Sequence, residues 1–66
     1  MYRYYLTQRP PVPGAVPKMK GMEIEDYGSK QYVGGGMHAW GHVDYKKELV
    51  PEVARRYELK YGGPVR

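Results

Sequence analysis

The sequence predicts a small α+β domain: a three- to four-stranded antiparallel sheet with one C-terminal helix packed on one face. Three observations lead there. Stretches near 2–8, 22–27 and 38–45 alternate apolar or aromatic residues with polar ones, which is the period of a strand. The segment from Pro51 carries helix start and stop signals. Proline and glycine clusters at 10–17 and 34–36 punctuate the chain between these stretches. The whole is read as one domain over residues 1–66.

The first strand is expected over 2–8. Tyr2, Tyr4 and Leu6 share one face, and Arg3, Tyr5 and Thr7 share the other. Aromatic and β-branched residues suit a half-buried pleated surface. Residues 9–18 form a connector. Pro10, Pro11, Pro13 and Pro17 lack backbone donors and fix φ near about −65°, so the stretch is extended with a bend at Gly14. It serves either as a link between strands or, through the PxxP spacing at Pro10–Pro13, as a preformed ligand for an aromatic groove.

Strands are next expected at about 22–27 and 30–33. Met22 and Ile24 alternate with Glu23 and Glu25, and Gly28-Ser29 reads as a turn, leaving either a hairpin or a bulged strand. Gly34-Gly35-Gly36 is a hinge or turn. It is not a phosphate loop, because Met37-His38 follows where such loops need a helix and, in P-loops, a Lys-Ser/Thr pair. The strand at 38–45 places His38, Trp40, His42 and Asp44 on one face and Ala39, Gly41, Val43 and Tyr45 on the other. The small-residue face suits close packing.

The helix is expected over about 51–60. Pro51 fits the first helical position, and Glu52 suits the positive end. Val53, Tyr57 and Tyr61 recur every four residues, Gly62 can take the left-handed position after the helix, and Pro64 prevents continuation. Residues 58–61 can instead leave the helix as a short strand. The core expected from these faces is Tyr4, Leu6, Ile24, Val33, Val43, Val53, Tyr57 and Trp40.

A chain of 66 residues buries only about 60% of the surface its unfolded form exposes. Small domains meet that shortfall with disulfides, metals or partners, and the absence of cysteine excludes disulfides and thiolate zinc sites. Phenylalanine is absent too, and the apolar mass sits in eight Tyr, one Trp, four Met and seven Val. The net charge of +4 divides as +4 over 1–20, −3 over 21–45 and +3 over 46–66. No run of about five or more like charges occurs. No segment approaches the roughly 18 apolar residues of a membrane span, and the start of the chain lacks a signal peptide's apolar run. A cytoplasmic location is expected, with no membrane partner.

Catalytic constellations are weak. On a strand, His38 and His42 lie about 13 Å apart, too far to share one metal ion with Asp44. Ser29 and Thr7 have no nucleophile-elbow context, and Glu25-Asp26 falls on a solvated turn. The reading is non-enzymatic, with no cofactor and no metal. The tyrosines are the excess: rigid amphipathic rings are enriched at binding hot spots. Tyr5, Arg9, Trp40 and His42 are therefore the candidate contacts for another protein, and Trp40 is claimed by both the core and the contact surface. The alternative is single-stranded nucleic acid, held by Arg3, Tyr5, Arg9, Lys18 and Lys20 through phosphate contact and base stacking. A second copy of the chain is a further candidate partner.

The strings Tyr4-Tyr5-Leu6-Thr7-Gln8-Arg9-Pro10-Pro11, Ala39-Trp40-Gly41-His42-Val43-Asp44-Tyr45 and Tyr57-Glu58-Leu59 resemble a group of short uncharacterised bacterial and phage proteins found in mobile-element contexts. The resemblance implies a stand-alone accessory protein rather than a fragment of a large enzyme. It carries over no functional residue. In that setting the expected role is modulation of a host or defence protein.

Overall fold

The computed structural model describes residues 1–65. Strand β1 (Tyr2–Leu6) is followed by β2 (Glu23–Gly34), β3 (Met37–Tyr45), a short helix α1 (Pro51–Arg56) and β4 (Leu59–Pro64). The strands form one antiparallel sheet in the order β2-β3-β1-β4. The β1–β4 pairing extends one step further, where the Met1 amino group donates to the Val65 carbonyl and the Val65 N–H donates to the Met1 carbonyl, both at 2.6 Å. β1 and β3 are the central pair, and they carry the strongest alternation in the sequence.

One face of that pair is the core. Tyr4, Leu6, Val43 and Tyr45 are buried there with Ala15, Leu49 and Leu59, and Tyr2, Val16, Met22, Ala54 and Tyr57 pack around them. The connector and the segment around α1 therefore cover the same face of the sheet. Tyrosine serves where phenylalanine is missing because its hydroxyl meets a loop backbone group. Tyr45 donates to the Pro17 carbonyl at 2.6 Å, and the Leu49 N–H donates to the Tyr4 oxygen at 2.9 Å. Each bond pins a covering segment to the sheet, and burial pushes the Tyr45 hydroxyl well above its ordinary pKa. Gly41 allows the connector to come close, since a Cβ there would lie 3.1 Å from Pro11 Cγ.

Several boundaries differ from those expected. β1 ends at Leu6 rather than residue 8, just ahead of the prolines. The expected strands at 22–27 and 30–33 are one strand, β2, with a wide bulge: β2 advances from Asp26 to Gln31 while β3 moves only from Gly41 to Ala39. Asp26 Oδ1 accepts the Gly28 N–H at 2.9 Å, and Gly28 takes φ 76°. Gly28-Ser29 thus bulges the chain without reversing it. The reversal comes at Gly35 and Gly36, both at positive φ, as a two-residue hairpin turn requires.

The helix stops at Arg56 instead of residue 60, and 59–64 is strand. Leu59 pairs with Leu6 and is buried, so sheet pairing and burial outweigh continuation of the helix. The left-handed residue after the helix is Glu58 (φ 57°), not Gly62. Trp40, Val33, Val53 and Tyr57 are half-buried rather than fully internal. Ile24, at 47% exposure, is not core at all; it lies on edge strand β2.

Candidate functional site

The second face of the sheet is set by the residues that alternate with the core. Register places them in two rows across the strands. Glu25, His42, Tyr5 and Lys60 form one row, and Glu23, Asp44, Arg3 and Gly63 form the other. Trp40 follows His42 on the same side of β3. The rings and Arg3 are half-buried, Asp44 is buried, and Glu23, Glu25 and Lys60 are exposed. No other element among the described residues packs into this face as the connector and α1 do on the other.

Asp44 anchors the arrangement. Its carboxylate accepts two bonds from Arg3, Nε to Oδ1 at 2.9 Å and Nη2 to Oδ2 at 3.0 Å. Such a fork is directional and charge-assisted. The bond to Arg3 holds the Asp44 carboxyl below its ordinary pKa despite burial at 6% exposure, and the same bond raises the Arg3 guanidinium. His42 sits beside this pair. Its Nδ1 lies 2.6 Å from the Tyr27 hydroxyl, and its Nε2 lies 3.9 Å from Asp44 Oδ2. Burial, reinforced by the Arg3 charge, lowers the His42 pKa from its ordinary value of 6.5. A neutral imidazole accepting the Tyr27 proton at Nδ1 satisfies these contacts, with its N–H on the Asp44 side; that tautomer is assigned from the bonding pattern.

The rings are fixed in relation to one another. Tyr5 meets His42 edge-on at 6.2 Å and 89°, and Tyr27 meets it at 5.5 Å and 68°. Tyr5 lies across Gly62, where a Cβ would fall 3.0 Å from the Tyr5 Cδ2 and 3.3 Å from its Cζ. Burial raises the Tyr27 hydroxyl above its ordinary value, which disfavours a phenolate nucleophile at neutral pH. The patch offers preset aromatic edges with a few polar atoms, which is the equipment of a contact surface.

Tyr5, Trp40 and His42 share this face. Arg9 does not: it donates to the Tyr57 carbonyl at 3.2 Å and pairs with Glu58, holding the turn after α1. The five residues considered for nucleic acid are dispersed. Arg3 and Arg9 are each committed to a carboxylate, while Lys18 ends the connector that covers the core face and Lys20 lies in the turn that follows it. Two contributors escaped the sequence reading. Tyr27 reaches His42 only because the bulge carries it there. Gly62 matters as a seat for Tyr5, and that pairing depends on a β4 that local signals left open. Arg3 and Asp44 were visible as opposite charges, and strand register joins them.

His38 is distant from this cluster in role, stacking edge-on with Tyr32 at 5.3 Å next to the hairpin turn. Among the described residues, no group of three or more His, Cys, Asp or Glu is placed to hold a metal ion, and no helix is long and apolar enough to cross a membrane. No curated protein and no solved structure matches the chain. A family model does, over residues 1–63, a span that takes in β1 to β3, the connector, the helix, all of β4 but Pro64 and every residue of the aromatic face. On that match the chain belongs to the Defence against restriction A C-terminal family.

Proposed function

We propose that this chain is a non-enzymatic docking module that acts in defence against restriction by binding a protein of the host restriction system. The observation that carries the reading is the asymmetry of the sheet. One face is covered by the connector and the segment around α1, and the other presents Tyr5, Tyr27, Trp40 and His42, all half-buried, with both tyrosine rings edge-on to His42. Preset rings lose little side-chain freedom on association. Membership in a family named for defence against restriction supports the choice of partner class, and a phage or mobile-element setting fits that name.

Trp40 and Tyr5 supply the apolar contact in this reading, and His42 supplies orientation by holding the tyrosine edges. Arg9 is released from the contact set, since its guanidinium holds the α1–β4 turn. The test is calorimetric titration of the folded chain into a purified restriction complex. Trp40→Ala is expected to weaken binding by about 30-fold or more, the scale of a hot-spot truncation near 2 kcal/mol, while the thermal melt stays within a few degrees of the parent. Unchanged affinity in a folded Trp40→Ala protein overturns the role of this face.

A further inference from the structure

Both outer strands of the sheet have an open edge. The order β2-β3-β1-β4 leaves β2 and β4 each paired on one side only, and an unpaired edge is a template for another strand. Because β1 runs antiparallel to β3 and β4, and β2 runs antiparallel to β3, the two outer strands run in opposite directions. A copy placed beside the first in the same orientation therefore brings its β2 antiparallel to β4. Irregularities limit the stretch that can pair. β2 is regular over 23–26, before its bulge, and β4 over 59–61, before the register shift opposite Arg3 and Tyr4.

The residues at the two edges match. On the core face one row runs Ile24, Val43, Tyr4 and Tyr61 across the strands. Its middle is buried, and its ends are exposed apolar side chains, Ile24 at 47% and Tyr61 at 48%. Beside Ile24 lies a groove of about 400 Å³ lined by Val12, Pro13, Val16 and Met22. On the opposite face the neighbouring row ends in Glu25 and Lys60. Both are exposed, and among the described residues neither enters an ion pair. Acids thus gather at the β2 edge as Glu23, Glu25 and Asp26, and bases in and just ahead of β4 as Arg55, Arg56 and Lys60.

We propose that a second copy of this chain is the partner of these edges, with β4 of one molecule pairing antiparallel to β2 of the next. Continuing both rows across the junction sets one register. Lys60 falls opposite Glu25, and Tyr61 falls opposite Ile24 beside its groove. Opposite charges and apolar pairs facing each other across strands stabilise a sheet, and like charges directly opposite destabilise it. The two-fold alternatives lack this match. Pairing β2 with itself sets acid against acid in any register centred on 23–26. Pairing β4 with itself sets Lys60 against its own copy or runs into the register shift beyond Tyr61. The contact is therefore head-to-tail, and such a contact repeats into a ring or filament rather than closing at two. It uses strand edges and not the aromatic rings, so it can fail while the docking of Tyr5 and Trp40 holds, and the reverse.

The test is sedimentation equilibrium of the full chain over a concentration series. The weight-average mass is expected to rise with concentration past that of two chains. Glu25→Lys and Lys60→Glu are each expected to stay monomeric while keeping the parent circular-dichroism spectrum. An equimolar mixture of these two variants is expected to associate again, because the altered edge of each meets a complementary edge on the other. Lys47→Glu, the same charge reversal at neither edge, is expected to associate like the parent. Should a charge variant fold poorly, the cysteine-free sequence allows Glu25→Cys and Lys60→Cys chains. Their oxidised mixture is expected to give the mixed dimer in preference to either homodimer. A chain that stays monomeric throughout the series, a mass that stops at two, charge variants that associate like the parent, a mixture that does not recover, or homodimers as abundant as the mixed dimer overturns the proposal.

Discussion

Replacing Gly41 with alanine is a direct probe of how this sheet is packed. Gly41 is not among the glycines at positive φ, so its backbone accepts alanine and any penalty comes from space. The new Cβ would collide with the Glu25 carbonyl oxygen of β2, lying also 3.4 Å from the carbonyl carbon and 3.1 Å from Pro11 Cγ. Neither obstacle is the free end of a flexible side chain. Either β2 moves away from β3 or the connector lifts from the core. Overpacking of this kind costs about 1–3 kcal/mol, and a backbone obstacle places Gly41→Ala at the upper end. Reduced unfolded-state entropy returns about 0.4–1 kcal/mol, leaving a net loss of about 2–3 kcal/mol. In a domain of this size each kcal/mol moves the melting temperature by about 4–8 °C, so a fall of about 10–20 °C is expected by circular dichroism. Gly62→Ala is the matched control. Its obstacle is one side-chain ring, Tyr5, rather than backbone, so the melt is expected to fall less than for Gly41→Ala, with Tyr5 displaced from His42. A Gly41→Ala protein melting within about 2 °C of the parent, or a Gly62→Ala protein falling as far, would refute the packing described.

The polar side of the sheet makes its own predictions. Arg3→Gln leaves the buried Asp44 carboxylate without its fork; breaking a fully buried pair costs about 3–5 kcal/mol, and partial exposure of Arg3 brings this to about 2 kcal/mol, measured by urea denaturation. Asp44 and His42 both have folded pKa values below their unfolded ones, so the unfolded chain binds protons more readily at each. Their stabilisation is complete above the unfolded values, and falls first as pH drops below 6.5 for His42 and again below 3.8 for Asp44. A denaturation series in which stability rises as pH falls below 6.5 would contradict the burial of His42. Tyr27→Phe removes the donor to neutral His42, and the imidazole pKa followed by NMR is expected to rise; no movement would mean that the bond contributes nothing to the neutral form.

Much of this was readable from local pattern. Alternation along 38–45 separates Ala39, Gly41, Val43 and Tyr45, which are buried, from His38, Trp40 and His42, which are not fully buried, and Pro51 marks the helix start. Asp44 breaks that alternation: it is buried on the polar side because Arg3 reaches it from the neighbouring strand. The boundaries that shifted depend on long-range partners. Gly28-Ser29 carries a turn signal that an Asx bond converts into a bulge, and Leu59 leaves the expected helix because Leu6 pairs with it. Ile24 has a strand pattern like that of Val43, but an edge strand beyond the covering connector leaves it at 47% exposure. The candidate face was partly visible for the same reason. Tyr5, Trp40 and His42 declare themselves by type and alternation, whereas the Tyr27 bond and the Gly62 seat exist only once β2 has bulged and β4 has formed.

The docking reading rests on which face of the sheet a partner covers, and NMR chemical-shift mapping measures that directly. On addition of a purified restriction complex, the Trp40 indole, the His42 ring and the amides of Tyr5 and Tyr27 are expected to shift or broaden first, with Ala15, Val16 and Leu49 on the covered face unaffected. Perturbations confined to the connector groove, with Trp40 and His42 unmoved, would contradict it.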